Sequence, residues 1–177
     1  MPNAGAREAD RLYEKAAAEY GAALERLARG YERDADKCRD LLQEIHVALW
    51  RSFHGFDSRC SLRTWVYRVA HNTATSQVLR PMTKAPSFVP LDGIDPITDP
   101  IVGEETLDRQ RTLDRLYELI HRLDARDRQV MLLYLESVDA ATIAEVTGLS
   151  ASNVATKVHR IKQLLVRRFH ERSTDVR

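Results

Sequence analysis

Cysteine is scarce in this chain: only Cys38 and Cys60 occur among 177 residues, and their separation matches neither a zinc nor a redox spacing. A disulfide-built secreted domain is thereby excluded, and both thiols are expected to be reduced in a cytoplasmic protein. No apolar run approaches the roughly 18 residues that span a bilayer, and no secretory leader is expected at the start. A catalytic constellation is missing too. His46, His54 and Cys60 lack ligand spacing, and there is neither a Gly-rich phosphate loop nor a nucleophile motif. No metal or other cofactor is expected, and the chain is not read as an enzyme. What remains is an ordinary globular composition, 44% hydrophobic and 30% charged, rather than that of a disordered tail.

Net charge is also nearly absent, at +1, which at first argues against a partner such as nucleic acid. The sum conceals a segregation. From Ser58 to Leu91 there are five basic residues (Arg59, Arg63, Arg68, Arg80, Lys84) and no acidic one. From Asp92 to Asp108 there are six acidic residues and no basic one. From Lys157 to Arg177 seven basic residues face only Glu171 and Asp175, a local charge of +5. Two cationic patches flanking an anionic connector suit two contact sites on one polyanion.

Apolar periodicity predicts an all-α chain. Tyr13, Ala16, Ala17, Tyr20, Leu24 and Leu27 mark a first helix that ends near Gly30, a residue suited to the left-handed position after a helix. A second helix, capped by Asp34 or Asp36, runs through Leu41, Ile45, Ala48 and Leu49 to about Ser52. Its other face carries Asp40, Gln43, Glu44, Val47 and Trp50, which fits either a solvated surface or a protein-docking site. After a turn over Phe53–Ser58 comes Ser61–Arg80. Leu62, Trp65, Val66, Val69 and Ala70 form its apolar stripe, and Arg63, Tyr67, Arg68 and His71 lie opposite. Asn72, Thr73, Thr75 and Ser76 follow, where helix propensity weakens. Cations, flat rings and hydrogen-bonding side chains together suit unstacked nucleic acid; a merely solvated face is the competing reading.

Pro81, Pro86, Pro90, Pro96 and Pro100 break regular structure and predict an extended linker of roughly 25 residues between two domains. The expected division is 1–80, linker 81–106 and 107–177. Beyond the linker, Leu107, Leu113, Leu116, Tyr117, Ile120 and Leu123 mark a helix, Asp124 caps another ending near Glu136, and Asp139 caps a short third. Gly148 and Leu149 turn the chain into a last helix capped by Ser150, with Val154, Val158, Ile161 and Leu165 inward. A short helix, a Gly-containing turn and a longer basic helix form a helix-turn-helix. Its exposed set is Ser152, Asn153, Thr156, Lys157, His159 and Arg160, and an ordinary helical hairpin is the bland alternative.

In sequence, DLLQEIHVALW (Asp40–Trp50), SLRTWVYRVAHNTA (Ser61–Ala74) and IAEVTGLSASNVATKVHRIKQLL (Ile143–Leu165) resemble, in this order and spacing, a bacterial RNA polymerase sigma factor of the extracytoplasmic-function type within the sigma-70 family. The resemblance spans about Tyr13 to Phe169. It implies a region 2-like bundle and a region 4-like helix-turn-helix, with core RNA polymerase and promoter DNA as partners and an anti-sigma factor as a possible further one. By that resemblance Asp40, Leu41, Gln43, Glu44, Val47, Leu49 and Trp50 dock on the polymerase. Arg63, Trp65, Tyr67, Arg68, His71, Asn72, Thr73, Thr75 and Ser76 serve the minus-ten element, with Asn72 and a Thr73–Gln77 turn forming a pocket for a flipped base. Ser152, Asn153, Thr156, Lys157, His159 and Arg160 read the minus-thirty-five duplex. Ala155, Thr156 and Lys157 stand where the family often has Arg-Ser-Arg, so the upstream element is expected to be unlike the familiar one. The rival expectation is a two-domain regulator that binds duplex DNA only; single-strand binding separates the two.

Overall fold

The computed structural model describes residues 4–79 and 104–174. Among them are seven α-helices, one 3-10 turn at Phe53–Gly55 and no strand. The helices are α1 (Ala4–Tyr31), α2 (Ala35–Ser52), α3 (Leu62–Leu79), α4 (Glu104–His121), α5 (Ala125–Leu135), α6 (Ala140–Thr147) and α7 (Ala151–Thr174). No helix of these residues is long and apolar enough to cross a membrane. The linker prolines lie outside the described residues, and positions 104–106, expected in the linker, already belong to α4.

Side-chain oxygens start the helices where the sequence offers them. Asp34, not Asp36, caps α2 by accepting from the amides of Asp36 and Lys37. Asp124 accepts from Asp127 N at 2.8 Å, Asp139 from Thr142 N at 2.9 Å and Ser150 from Asn153 N at 3.2 Å. Each such cap contributes about 1 kcal/mol. Gly148 closes α6 in the left-handed region with φ 72°, where a side chain would be strained.

Gly30 does something else. It lies inside α1, which continues to Tyr31, and a Cβ built on it would stand 2.4 Å from Leu132 Cδ2. The glycine is therefore the point where α5 comes against the α1 backbone, and not a helix stop.

Leu41, Ile45 and Leu49 seat α2 on the bundle, each at most 1% exposed, which contributes roughly 1.5–3 kcal/mol apiece. On α3, Val66, Ala70 and Ala74 are buried as the periodicity implies, with Leu62, Trp65 and Val69 half-buried. Tyr67 and His71, expected on the open side, are buried as well. The reason is that α3 packs on α1 and α2 with one side and on α5 and α6 with another. One buried core accordingly runs from Leu24, Ile45 and Val66 into Ile120, Leu133 and Ile143. A second cluster, Leu119, Leu123, Met131, Ile161 and Leu165, holds α7 to α4 and α5.

Candidate nucleic-acid interface

The cationic helix α3 is entered through Ser61, whose hydroxyl accepts from Thr64 N at 3.0 Å. Trp65 anchors it: its indole N–H donates to Ser52 Oγ at 2.9 Å, and its ring meets Phe56 edge-on at 5.2 Å. Trp65 thus ties α3 to the end of α2. Tyr67 packs edge-on against Tyr20 at 6.0 Å. His71 Nδ1 is hydrogen-bonded to the Tyr31 hydroxyl at 2.8 Å, and its Nε2 has no partner. Full burial holds the His71 imidazole far below its ordinary range, at about 3, so the ring is neutral at physiological pH.

The arginines of α3 point to the C-terminal half. Arg63 donates to Glu136 O at 2.9 Å and to Ser137 O at 3.2 Å, and Arg68 donates to Glu145 O at 3.3 Å. Past them, Asn72 and Ser76 are exposed, with Thr73 and Thr75 half-buried. The expected Thr73–Gln77 turn is instead continuous helix to Leu79. Thr73 stays helical by donating its hydroxyl back to Val69 O at 2.9 Å, which satisfies the β-branched side chain without breaking the helix. Thr73 also lines a groove of about 580 Å³ with Asp40, Gln43, Glu44, Val47 and Arg51. The end of α3 and the polar face of α2 are therefore one continuous surface.

On that face Asp40, Gln43, Glu44, Val47 and Trp50 are exposed, whereas Leu41 and Leu49 are core. The Trp50 indole is 44% exposed yet fixed in place, donating to Asp10 Oδ1 at 3.0 Å and meeting His54 edge-on at 5.7 Å.

The second cationic patch is on α7. Ser152, Asn153, Thr156, His159 and Arg160 are exposed, and Lys157 is half-buried. Thr156 donates to Ser152 O at 3.0 Å, and Gln163 hydrogen-bonds His159 Nε2 at 2.9 Å. Lys157 Nζ and Arg160 both donate to the Asp127 carboxylate, at 2.5 and 2.6 Å. Asp127 is buried at 7% exposure. It was not singled out from sequence, because an acid in the first turn of α5 reads as a favourable helix-dipole charge and nothing more. Arg26 also escaped notice, and Gly30 and Glu136 were read only as helix ends; the Arg26–Glu136 pair joins residues 110 positions apart, a separation that carries no sequence signal.

A helical bundle with a cationic helix and an exposed acidic-aromatic face, followed by a basic helix-turn-helix, is an architecture suited to a DNA-binding transcription factor. The comparisons define it further. The model of sigma-70 region 2 matches residues 17–80, and that of sigma-70 region 4 matches residues 113–165. The chain belongs to the sigma-70 family as a sigma factor of the extracytoplasmic-function type: a transcription initiation factor, without catalysis of its own, that works with core RNA polymerase on promoter DNA.

Among curated relatives, the ECF RNA polymerase sigma factor SigX of Bacillus subtilis is 23% identical over 132 residues, covering 72% of this chain and 68% of that one. SigW of the same organism is 20% identical over 146 residues, covering 76% of each. SigG of Mycobacterium tuberculosis is 28% identical over 148 residues, and the match spans 71% of this chain but 40% of that longer protein. The fold is also that of CnrH in its complex with the cytosolic domain of CnrY, with TM-score 0.68, 20% identity and coverage of 94% and 95%.

Proposed function

We propose that residues 1–80 dock on core RNA polymerase and read the minus-ten element as a melted strand, that 81–106 connect, and that 107–177 read the minus-thirty-five element as duplex. The observation that carries this reading is the continuity of the exposed α2 face with the end of α3, through the groove that Thr73 shares with Asp40, Gln43, Glu44 and Val47. A polymerase seated on that face lies beside the residues that would take an unstacked base.

Within the minus-ten set the supporting geometry divides the roles. Asn72, Thr73, Thr75 and Ser76 offer hydrogen-bonding groups at or near the surface, and Arg63 and Arg68 offer charge for phosphates. Trp65, Tyr67 and His71 act by holding α3 in place, their side chains being packed in the closed chain. On α2, Asp40, Gln43, Glu44, Val47 and Trp50 form the docking face, and Leu41 and Leu49 hold the helix that presents it. On α7, Ser152, Asn153, Thr156 and His159 are the exposed residues that would meet base edges, with Lys157 and Arg160 held by Asp127. The protein acts in the cytoplasm, and an anti-sigma factor is a fitting regulatory partner.

Run-off transcription with core polymerase on a genomic fragment library tests this reading. Transcripts are expected to start downstream of a shared pair of elements. Uniform background transcription, or duplex binding without strand opening, would overturn it. Trp50→Ala is expected to lower the affinity for core polymerase about tenfold, as for an aromatic anchor.

A further inference from the structure

A recognition helix meets base edges with the exposed residues nearest its N-terminus. In the first two turns of α7 these include Ser152, Asn153, Ala155 and Thr156, and none of the four is charged. The cations closest to the helix start are Lys157 and Arg160, and both are committed elsewhere. The Lys157 ammonium donates to one oxygen of Asp127 at 2.5 Å and the Arg160 guanidinium to the other at 2.6 Å. Asp127 is 7% exposed. If Lys157, itself largely covered, turned to a base, it would leave half of a buried carboxylate unpaired, a larger loss than one base contact returns.

Which bases such a surface accepts follows from matching donors to acceptors. Guanine shows the major groove two acceptors, N7 and O6, and is read by two donors on an arginine or lysine. The exposed residues of the first two turns hold no such pair. Adenine shows an acceptor beside a donor, which a carboxamide matches with both of its groups at once. Among the described residues the Asn153 carboxamide makes no hydrogen bond within the chain; only its backbone amide is used, donating to Ser150 Oγ at 3.2 Å. Thr156 gives its hydroxyl proton to Ser152 O at 3.0 Å, so what remains for a partner is an acceptor oxygen and a methyl group. Ala155 adds a second methyl, and methyl groups suit the C5-methyl of thymine.

We propose that the base pairs under the first two turns of α7 are A·T, with Asn153 specifying an adenine and the methyls of Ala155 and Thr156 meeting thymine, and that Asp127 is the positioning residue that keeps Lys157 and Arg160 from reading guanine. The inference rests on the minus-thirty-five reading above and gives that element a base composition. Asp127 touches no base in this scheme; it selects bases by deciding which side chains of α7 are free to.

The test uses the full chain with core RNA polymerase on one promoter found by run-off mapping. Its upstream region is randomised over about ten base pairs, one helical turn, and each version is linked to a barcode in the transcript, so that sequencing reads the preference at every position. Wild type is expected to favour A·T over G·C about tenfold at adjacent positions. Asn153→Ala is expected to flatten one of them, and Asn153→Arg to prefer G·C at that same position; both change an exposed side chain and keep the amide that Ser150 caps. Asp127→Asn is expected to gain tolerance for G·C at a different position, with helix content by circular dichroism unchanged. The double variant Asp127→Leu/Lys157→Met removes carboxylate and ammonium together, frees Arg160 without orphaning a charge, and is expected to gain G·C in the same way. A wild-type preference for G·C under these turns, or an unchanged preferred base in Asn153→Arg, would overturn the adenine assignment. Wild-type preferences in both Asp127 variants would overturn the positioning role. No upstream preference at all, with transcription still dependent on the minus-ten sequence, would remove the duplex reading itself and this inference with it.

Discussion

The two cationic helices both have side chains engaged within the chain, but by different partners. On α7, Lys157 and Arg160 share the Asp127 carboxylate of α5, within the same helix-turn-helix unit. On α3, Arg63 donates to the carbonyls of Glu136 and Ser137, and Arg68 to that of Glu145, across the chain. The first pairing is made within the helix-turn-helix unit, whereas the second joins residues 73 to 77 positions apart. The helices differ in charge as well: α3 carries two arginines and α7 six cations, and of these two contacts only that on α7 has a carboxylate as its counter-group.

The largest effect that sharpens this comparison is expected from acid, on the α3 side. His71 has a folded value near 3 through burial, well below the ordinary 6.5. Between those values the unfolded chain binds a proton that the folded chain does not. The stabilising contribution of neutral His71 is therefore complete above about pH 6.5 and is lost progressively toward pH 3, by roughly 1.4 kcal/mol per pH unit and about 5 kcal/mol in total. Urea unfolding at pH 6.5 and 5.0 should show wild type losing about 2 kcal/mol more than His71→Gln. Parallel losses in the two proteins would remove His71 from the acid response.

Next in size is Asp127→Asn, which breaks the comparison on the α7 side. Removing one partner of a well-buried ion pair costs 3–5 kcal/mol, but Arg160 is largely exposed, so about 2 kcal/mol is expected. The freed Lys157 and Arg160 should raise affinity for random duplex and steepen its salt dependence, while discrimination for the upstream element falls. Titrations at two salt concentrations check this. Unchanged discrimination would mean that Asp127 serves the fold alone.

How far these features were legible depends on the range over which each is determined. The caps at Asp124, Asp139 and Ser150 and the left-handed Gly148 are decided within four residues, and the structure shows all of them. The buried set Leu41, Ile45 and Leu49 follows from helical period alone. Burial of Tyr67 and His71 does not, because it requires a second layer, α5 and α6, that packs on α3 from beyond the linker. Gly30 misled for the same reason. A glycine near a helix end has a local explanation, and the actual one is a leucine 102 positions away. On α7 the periodicity marked Ser152, Asn153, Thr156, His159 and Arg160 as outward, as they are, but Lys157 is half-buried, because it and Arg160 fork onto the Asp127 carboxylate of α5.

The smallest effect on stability is expected at Asn72, and its smallness makes it informative. Asn72 is exposed on α3, beyond the arginines that meet the opposite half. Among the described residues no side-chain hydrogen bond ties it to the fold, unlike its neighbours Thr73 and His71. Asn72→Ala should therefore change unfolding free energy by less than about 0.5 kcal/mol and leave the radius of gyration as it is. If Asn72 meets an unstacked base, the same variant should abolish promoter opening by the holoenzyme, followed by permanganate reactivity of exposed thymines. Because Asn72 is exposed and no part of the core, a loss of opening could be ascribed to the strand contact alone. Normal opening by Asn72→Ala would move the specificity pocket elsewhere on α3 and leave intact the contrast between its arginines, held by distant carbonyls, and the carboxylate-paired cations of α7.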